Sequence, residues 1–513
     1  MDDFNPSTDF TPIENHPKAD GQTPAESLTP QSNLGPTNHK IEKVPTDIIG
    51  FDEIAHGGIP KGRTTLLSGT SGSGKTIFGM QFLVNGVIYH DEPGVFVTFE
   101  ESPAYITKNM MSFNWNLAKY INEGKFAFVD ASPSEDVSIE VGAFDLGGFM
   151  ARILAAVNKI GAKRMTIDSI SALFPRYSDE SIIRRELFRI ASKLKKLGIT
   201  TVITAERLSE DKGRVGRFGV EEFVSDNVIL LHNYLDDTRG NRSRSVEILK
   251  FRGATHETQD TPLLVRGNGI FVYPRPKPTF RAQKSSDIKI PTGIANLDQM
   301  LFGGVFAKSI TLITGPSGSG KTIMALSFII EGAKRGQRGI FFTFEESVEQ
   351  LYRNSASFGW DLKKLVADGL IRIYSSIPEE HQPEEHFNRI RNIVEEVEVK
   401  RFALDSLSAL ERLYQPNKFR EFTIGLNSYL RSAGVTSFLV NTTSSLTGTG
   451  RITENDLSTT ADNIILLKYL EQDGQMKRAV TMLKARGTNH DKMIHELIID
   501  NSGISIGQPF TQV

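Results

Sequence analysis

The sequence predicts an α/β protein built from two tandem copies of one mostly parallel sheet flanked by helices. Three observations carry that expectation: a glycine-rich phosphate loop occurs twice, further motifs recur behind each copy in the same order, and apolar β-rich runs alternate with helical patterns. Alternation of this kind favours parallel strands, because each connection returns through a helix packed on the sheet.

The repeated loops are Gly69-Thr70-Ser71-Gly72-Ser73-Gly74-Lys75-Thr76 and Gly315-Pro316-Ser317-Gly318-Ser319-Gly320-Lys321-Thr322, both of the form G-x-x-x-x-G-K-[ST]. An apolar β-rich run precedes each, and a helical pattern follows: Phe78, Met80, Phe82 and Leu83 in one, Met324, Leu326, Phe328 and Ile329 in the other. The glycines let successive backbone N–H groups curl around phosphate oxygens at a helix N-terminus, where the dipole favours negative charge. Lys75 and Lys321 are placed to reach β- and γ-phosphates, and the Thr76 and Thr322 hydroxyls to ligate Mg²⁺.

In chain order, residues 1–41 are rich in Pro, Asn, Thr and Ser without periodicity and read as a disordered tail, its three Thr-Pro pairs as plain linker composition. The first globular half is expected over 42–275. Within it Ile182, Ile183, Leu187, Ile190, Leu194 and Leu197 keep helical spacing, Gly198 stops the helix, and Ile199–Thr204 reads as a buried strand. A semi-stiff linker rich in Pro and polar residues spans 276–289, the second half 290–506, and a short tail 507–513. Val97-Thr98-Phe99-Glu100-Glu101-Ser102 returns as Phe342-Thr343-Phe344-Glu345-Glu346-Ser347, and the run Met165–Leu173 returns as Phe402–Leu410. Gly315 follows Gly69 by 246 residues and Lys484 follows Lys250 by 234, so only short loop insertions and deletions separate the copies.

Composition sets outer bounds. The 513 residues are 39% hydrophobic and 23% charged, ordinary for a globular protein with a core in each half. A net charge of −2 argues against a dedicated nucleic-acid binder. With no cysteine, disulfides, thiolate nucleophiles and Cys-based metal sites are excluded. No apolar run approaches the roughly 18 residues of a membrane span, and the N-terminus carries no signal-peptide core, so a cytoplasmic address is expected.

Around the two loops stand further chemical groups. Asp168 and Asp405 each end an apolar strand downstream of a loop, the position of a carboxylate that holds Mg²⁺ through water. Glu100-Glu101 and Glu345-Glu346 follow β runs, and ligands of open α/β sheets lie beyond the carboxyl ends of strands, so one member of each pair is a candidate general base. Lys250-x-Arg252 and Lys484-x-Arg486 set two cations on one face of a strand. Each loop already supplies its own Lys, so these cations are expected to serve a nucleotide on a neighbouring subunit; the alternative is a basic strand edge that resists aggregation.

The twin loops, twin Phe-Glu-Glu-Ser motifs and twin Lys-x-Arg-Gly strands resemble those of the KaiC family, double-RecA-domain ATPases and autokinases of the cyanobacterial circadian clock. The resemblance covers about Ile41 to Ile506. It implies two RecA-like P-loop domains, a two-tiered homohexamer, and ATP with Mg²⁺ at every subunit interface. It implies slow hydrolysis in the first half, served by Glu100 and Glu101. In the second half it implies serine/threonine autokinase activity with reverse phosphatase activity, where Glu345, with Glu346 beside it, activates the acceptor. The family's adjacent acceptors fall on Ser458 and Thr459, with Thr453 a weaker match. Aligning Asp462-Asn463 with Asp226-Asn227 sets Ser458 opposite Glu222 and Thr459 opposite Phe223, so only the second half offers hydroxyls there.

The chain departs from the family's clock members after Ile506, where they continue through a regulatory loop and tail that bind the activator KaiA; a KaiA-driven cycle is not expected. Ser132–Val137 occupies the region where the family meets KaiB, which leaves a KaiB-like partner compatible. The residues alone leave two rivals open: a RecA-type nucleic-acid motor, and an ATP-binding scaffold in which Ser458 and Thr459 are never modified.

Overall fold

The structure, a computed structural model, describes residues 41–131, 146–172, 180–208, 215, 225–236, 241–274, 286–443, 457–472 and 474–510. The N-terminal tail to residue 40, most of the linker, Ser132–Val137, Glu222, Phe223, Thr453 and the Ser458 side chain lie outside the described part.

Each half holds a nine-stranded sheet of identical topology. From edge to edge the first runs Gly269–Val272, Thr261–Arg266, Asn241–Phe251, Asn227–Asp236, Thr64–Gly69, Thr200–Glu206, Arg164–Asp168, Gly94–Thr98 and Phe126–Asp130. The second runs Gly503–Pro509, His495–Asp500, Gln475–Ala485, Asn463–Gln472, Ile310–Gly315, Thr436–Thr442, Arg401–Asp405, Gly339–Thr343 and Ile371–Ser375. In each, the six strands from Asn227 or Asn463 onward in that order are parallel, and the remaining three continue as an antiparallel meander.

The strands that lead into the phosphate loops lie at the centre, and all six residues of each are buried. That explains their unbroken apolar and Thr/Ser composition, since both faces are covered. In the first half the helix Lys75–His90 packs Phe78, Phe82 and Leu83 on one face, while Phe149, Ile153, Ile190 and Leu194 of two other helices cover the opposite face. The second half repeats the two-faced core around the helix Lys321–Lys334.

Two pairings extend the second half past the sequence boundaries. Lys289, the last residue of the stretch expected as linker, pairs with Phe306 beside the Ile290–Val305 pair, and the last edge strand runs to Pro509 because Pro509 pairs with His495. Between the halves, Arg266 Nη2 meets Glu385 Oε1 at 2.8 Å and Arg391 Nη1 meets Glu53 Oε2 at 3.4 Å.

The loop helix crosses the strand that ends in the candidate metal aspartate, and three contacts on alternate strand residues form a rail. At its far end Arg164 and Arg401 are buried, their guanidinium carbons 4.8 and 4.7 Å from the Phe82 and Phe328 ring centroids. Arg401 donates to Gln337 Oε1 at 2.8 Å and to the Pro291 and Phe328 carbonyls at 2.9 Å; Arg164 donates to Glu92 Oε2 at 2.6 Å and to the Phe82 carbonyl at 3.1 Å. Gly86 and Gly332 leave room for them: a β-carbon would stand 2.6 or 2.4 Å from the arginine Cδ. At the middle of the rail Thr166 Oγ1 donates to the Gly79 carbonyl at 2.9 Å, and a β-carbon on Gly79 would lie 2.5 Å from Thr166 Cγ2. The second half fills the same place with Ala325 and Ala403, both buried.

Gly79→Ala is therefore expected to cost about 1–3 kcal/mol through overpacking, despite alanine's better helix propensity. Adding Thr166→Ala, which recreates the Ala/Ala pair of the second half, should recover part of that loss. Urea midpoints of the two variants decide it: a double variant no more stable than Gly79→Ala alone would refute the packing account.

Candidate functional site

Both loops close by the same local geometry. Gly74 and Gly320 adopt φ of 102°, a left-handed conformation that side chains disfavour, and the helices begin at the next residue, Lys75 or Lys321. Among the described residues no side chain caps either helix at these glycines, which leaves the first-turn amides directed at the loop, as anion binding requires. Gly69, Thr70, Ser71, Gly72 and Ser73 in one half, and Gly315, Pro316, Ser317, Gly318 and Ser319 in the other, complete the cradle. Lys75 Nζ donates to the carbonyls of Gly69 at 2.8 Å and Thr70 at 2.9 Å, and Lys321 Nζ to that of Pro316 at 2.7 Å. Burial lowers the Lys321 pKa, opposed by the nearby charges of Asp405 and Glu345.

The near end of the rail joins hydroxyl to carboxylate. Thr76 Oγ1 donates to Asp168 Oδ2 at 2.7 Å, and Thr322 Oγ1 donates to Asp405 Oδ2 at 2.6 Å. The sequence placed these residues 92 and 83 positions apart, and the fold brings each pair into contact. The two pairs differ in their second shelf. Thr204 Oγ1 donates to Asp168 Oδ1, whereas the matching register position beside the second loop strand is Val440. Asp405 is 1% exposed, and burial pushes its carboxyl up to about 7, helped by the charges of Glu345 and Glu346.

The glutamate pairs split. Burial raises the Glu100 pKa, and the adjacent Asp168 charge adds to the rise against a hydrogen bond with Ser169. Glu345 Oε1 accepts from Ser406 Oγ, which also meets Ser408 Oγ at 2.8 Å. So the first member of each pair faces the serine next to the candidate metal aspartate. The second member turns to the following helix: Asn109 Nδ2 donates to Glu101 Oε2 at 3.4 Å, and Asn354 Nδ2 to Glu346 Oε2 at 2.9 Å. Burial raises the Glu346 pKa, partly offset by Asn354.

Sequence reasoning assigned no role to Thr204, to Ser169 and Ser406, or to Asn109 and Asn354. Signals existed for most of them: the Asp-Ser-x-Ser run repeats, and Asn354 follows Asn109 by the same 245 residues that separate Glu345 from Glu100. The Lys-x-Arg cations share a strand only in part. The strands end at Phe251 and Ala485, so Arg252 and Arg486 sit in the turns opened by Gly253 and Gly487, whose φ values are 71° and 74°. Lys250 Nζ donates to the Ser225 carbonyl at 3.2 Å, and Arg252 Nη1 lies 3.6 Å from Asp226 Oδ1. Lys484 Nζ donates to the Ala461 carbonyl at 2.7 Å, and Arg486 Nη2 to that of Thr459 at 3.2 Å. Ser458 and Thr459 lie on the short helix Leu457–Thr460, with Thr459 exposed. Among the described residues no helix is long and apolar enough to cross a membrane.

A family model described as "ATPase: KaiC" matches residues 44–277 and 290–510. A circadian clock oscillator protein KaiC from Thermostichus vulcanus is 46% identical over 92% of this chain and 90% of its own length. One of the same name from Prochlorococcus marinus (strain MIT 9313) is 44% identical over 94% of this chain and 96% of its own.

Asp405 should make stability depend on pH in a stated direction. Its folded pKa of about 7 exceeds the ordinary 3.8, so between those values the folded chain holds a proton that the unfolded chain releases. Stability from this group falls as pH rises through that window, and the full penalty remains above it. Asp405→Asn should therefore stabilise the nucleotide-free chain at pH 8 by on the order of 4 kcal/mol, with the gain shrinking toward pH 5. Urea midpoints that differ equally at both pH values would contradict this.

Proposed function

Because the chain belongs to the KaiC family of ATPases, it is an ATP-hydrolysing enzyme, and we propose that its first half hydrolyses ATP while its second phosphorylates Ser458 and Thr459 of a neighbouring copy. The observation that carries the intersubunit part is strand register. Asn463, just past the acceptor helix, pairs with Thr311, near the amino end of the loop strand, while the cradle opens four residues later at Gly315. Lys484 pairs with Ile464 at that same amino edge. At about 3.3 Å per residue the acceptor and the Lys-x-Arg cations stand roughly 13 Å or more from their own cradle. They are displaced from their own γ-phosphate and suited to a neighbour's. Asn227 pairs with Thr65 and Lys250 with Val228, so the first half offers its cations in the same way.

The residues then take these roles. The loop amides with Lys75 or Lys321 bind and orient the phosphates, and Lys250, Arg252, Lys484 and Arg486 approach the neighbour's nucleotide, where they balance charge as the bond to the leaving oxygen breaks. Thr76 and Asp168, and Thr322 and Asp405, offer hard oxygen donors that suit Mg²⁺, which keeps waters and shares phosphate oxygens. When bound, Mg²⁺ supplies charge neutralisation on the β- and γ-oxygens. In the first half Glu100 takes a proton from water as its oxygen bonds to the γ-phosphorus, and ADP leaves with the bridging oxygen. In the second, Glu345 takes the proton of the Ser458 or Thr459 hydroxyl, that oxygen bonds to the γ-phosphorus, and ADP again leaves with the bridging oxygen. Glu101 and Glu346, held by Asn109 and Asn354, support the first glutamate through charge and position.

Self-association into a ring follows from this division, and the relatives' names suggest a role in timing, with stress signalling the other context. A KaiB-like partner fits the family, whereas a KaiA-driven cycle is not part of the proposal. The net charge of −2 gives a nucleic-acid motor no support.

Incubation with Mg·ATP and no partner should place phosphate on Ser458 and Thr459, and Ser458→Ala/Thr459→Ala should abolish it. Glu345→Gln should slow phosphorylation by about 10²–10⁴-fold while most hydrolysis persists, and Glu100→Gln should do the reverse. A chain that hydrolyses ATP but stays unmodified would overturn the autokinase.

A further inference from the structure

Beside the acceptor helix lies a cavity of about 420 Å³, lined by Lys308, Arg431, Asp462 and Arg486 with Asp287 and Phe306. It stands at the amino edge of the sheet, apart from the chain's own cradle. Two guanidinium groups converge on one carboxylate there: Arg431 Nη2 lies 2.9 Å from Asp462 Oδ2, and Arg486 Nη1 lies 3.9 Å from Asp462 Oδ1. The same two arginines also bond to the acceptor main chain, Arg431 to the Thr460 carbonyl at 2.7 Å and Arg486 to the Thr459 carbonyl at 3.2 Å.

The first half is an internal comparison. There Asp226 faces Lys195 at 3.3 Å and Arg252 at 3.6 Å. Lys195 stands where the second half has Arg431, since each precedes its helix-ending glycine, Gly198 or Gly434, by three residues. The half without acceptor hydroxyls thus uses an ammonium, a point charge, and the half with them uses a planar fork that binds phosphate bidentately.

We propose that the Arg431–Asp462–Arg486 cluster is a receiving site for the phosphate of phosphorylated Thr459, and that receipt draws Arg486 from Asp462 and from the neighbouring subunit's nucleotide. The ligand class is a phosphomonoester on the chain itself. A phosphate carries a charge of about −1.5 to −2 at pH 7 against −1 on Asp462, so it outcompetes the carboxylate for both forks. Phosphorylation of one subunit then removes a cation from the adjoining ATP site, which couples one acceptor's state to its neighbour's chemistry. The inference rests on the acceptor assignment made above.

The test installs the phosphate without relying on autokinase activity. Full-length chain carrying genetically encoded phosphothreonine at 459 is held with Mg²⁺ and a non-hydrolysable ATP analogue, a broad-specificity phosphatase is added, and phosphate loss is followed by mass spectrometry. Arg431→Ala should lose the phosphate roughly tenfold faster than the parent, the scale of one charge-assisted hydrogen bond. Arg431→Lys, which restores the first-half arrangement and protects against loss of fold in the alanine variant, should fall between. Equal rates in the parent and Arg431→Lys, or in the parent and a folded Arg431→Ala, would overturn the receiving site. A chain that never phosphorylates itself would defeat the autokinase in the separate Mg·ATP assay while leaving this comparison readable.

Discussion

Each half depends on the crossing of the loop helix over the strand that ends in Asp168 or Asp405. Helix residues 76, 79 and 86 face strand residues 168, 166 and 164, and residues 322 and 332 face 405 and 401, with Ala325 and Ala403 in the same buried cluster at the corresponding positions. The strand alternation of two and the helical repeat coincide along one line, so a single packed contact fixes the distance between phosphate loop and carboxylate. Buried arginine at one end and a hydroxyl–carboxylate bond at the other make the line polar at both ends; between them the first half keeps the Thr166–Gly79 hydrogen bond and the second half has two alanines. The cost of burying Arg164 and Arg401 is offset by carbonyl acceptors, an aromatic face and a glycine that leaves the side chain room.

The duplication holds this frame constant while chemistry around it diverges. Thr204 donates to Asp168 where the second half has Val440, and the candidate acceptor hydroxyls occur on one side only. The Thr204 difference meets the rail only at its carboxylate end, and the helix–strand contacts themselves are kept. A glycine–threonine pair and an alanine–alanine pair fill its middle with similar total volume, the kind of exchange a core tolerates. One scaffold can therefore pass its nucleotide's phosphoryl group to water in one half and to a side chain in the other.

Much of this was legible in the chain because it is local. The loops, the strand-end aspartates and the glutamate pairs sit in short runs whose spacing states a mechanism, and the repeat doubled each signal. The rail was not legible: Gly79 and Thr166 are separated by 87 residues, and nothing in either neighbourhood announces the contact. The split of the glutamates was hidden for another reason. Adjacent residues after a strand point apart, and which one faces the cradle depends on Ser169 or Ser406 across the sheet and on Asn109 or Asn354 along the next helix. Arg252 and Arg486 fell off the strand face because the following glycine opens a turn, a boundary that periodicity resolves only to within a residue or two.

The placement of cradle and cations at opposite edges of each sheet gives self-association a chemical reason. Within one copy, Asp226 and Asp462 pair with the arginines, while burial raises the pKa of Glu100, Glu346 and Asp405. The head-to-tail contact proposed above sets one copy's cationic edge against the next copy's cradle, and where its rotation closes such a contact forms a ring. Nucleotide bound at such a contact stabilises folded chain and assembly together, because it binds only where both are formed. On the proposal that these cations act in trans, the carboxylates whose charge burial disfavours are the counterpart of an interface.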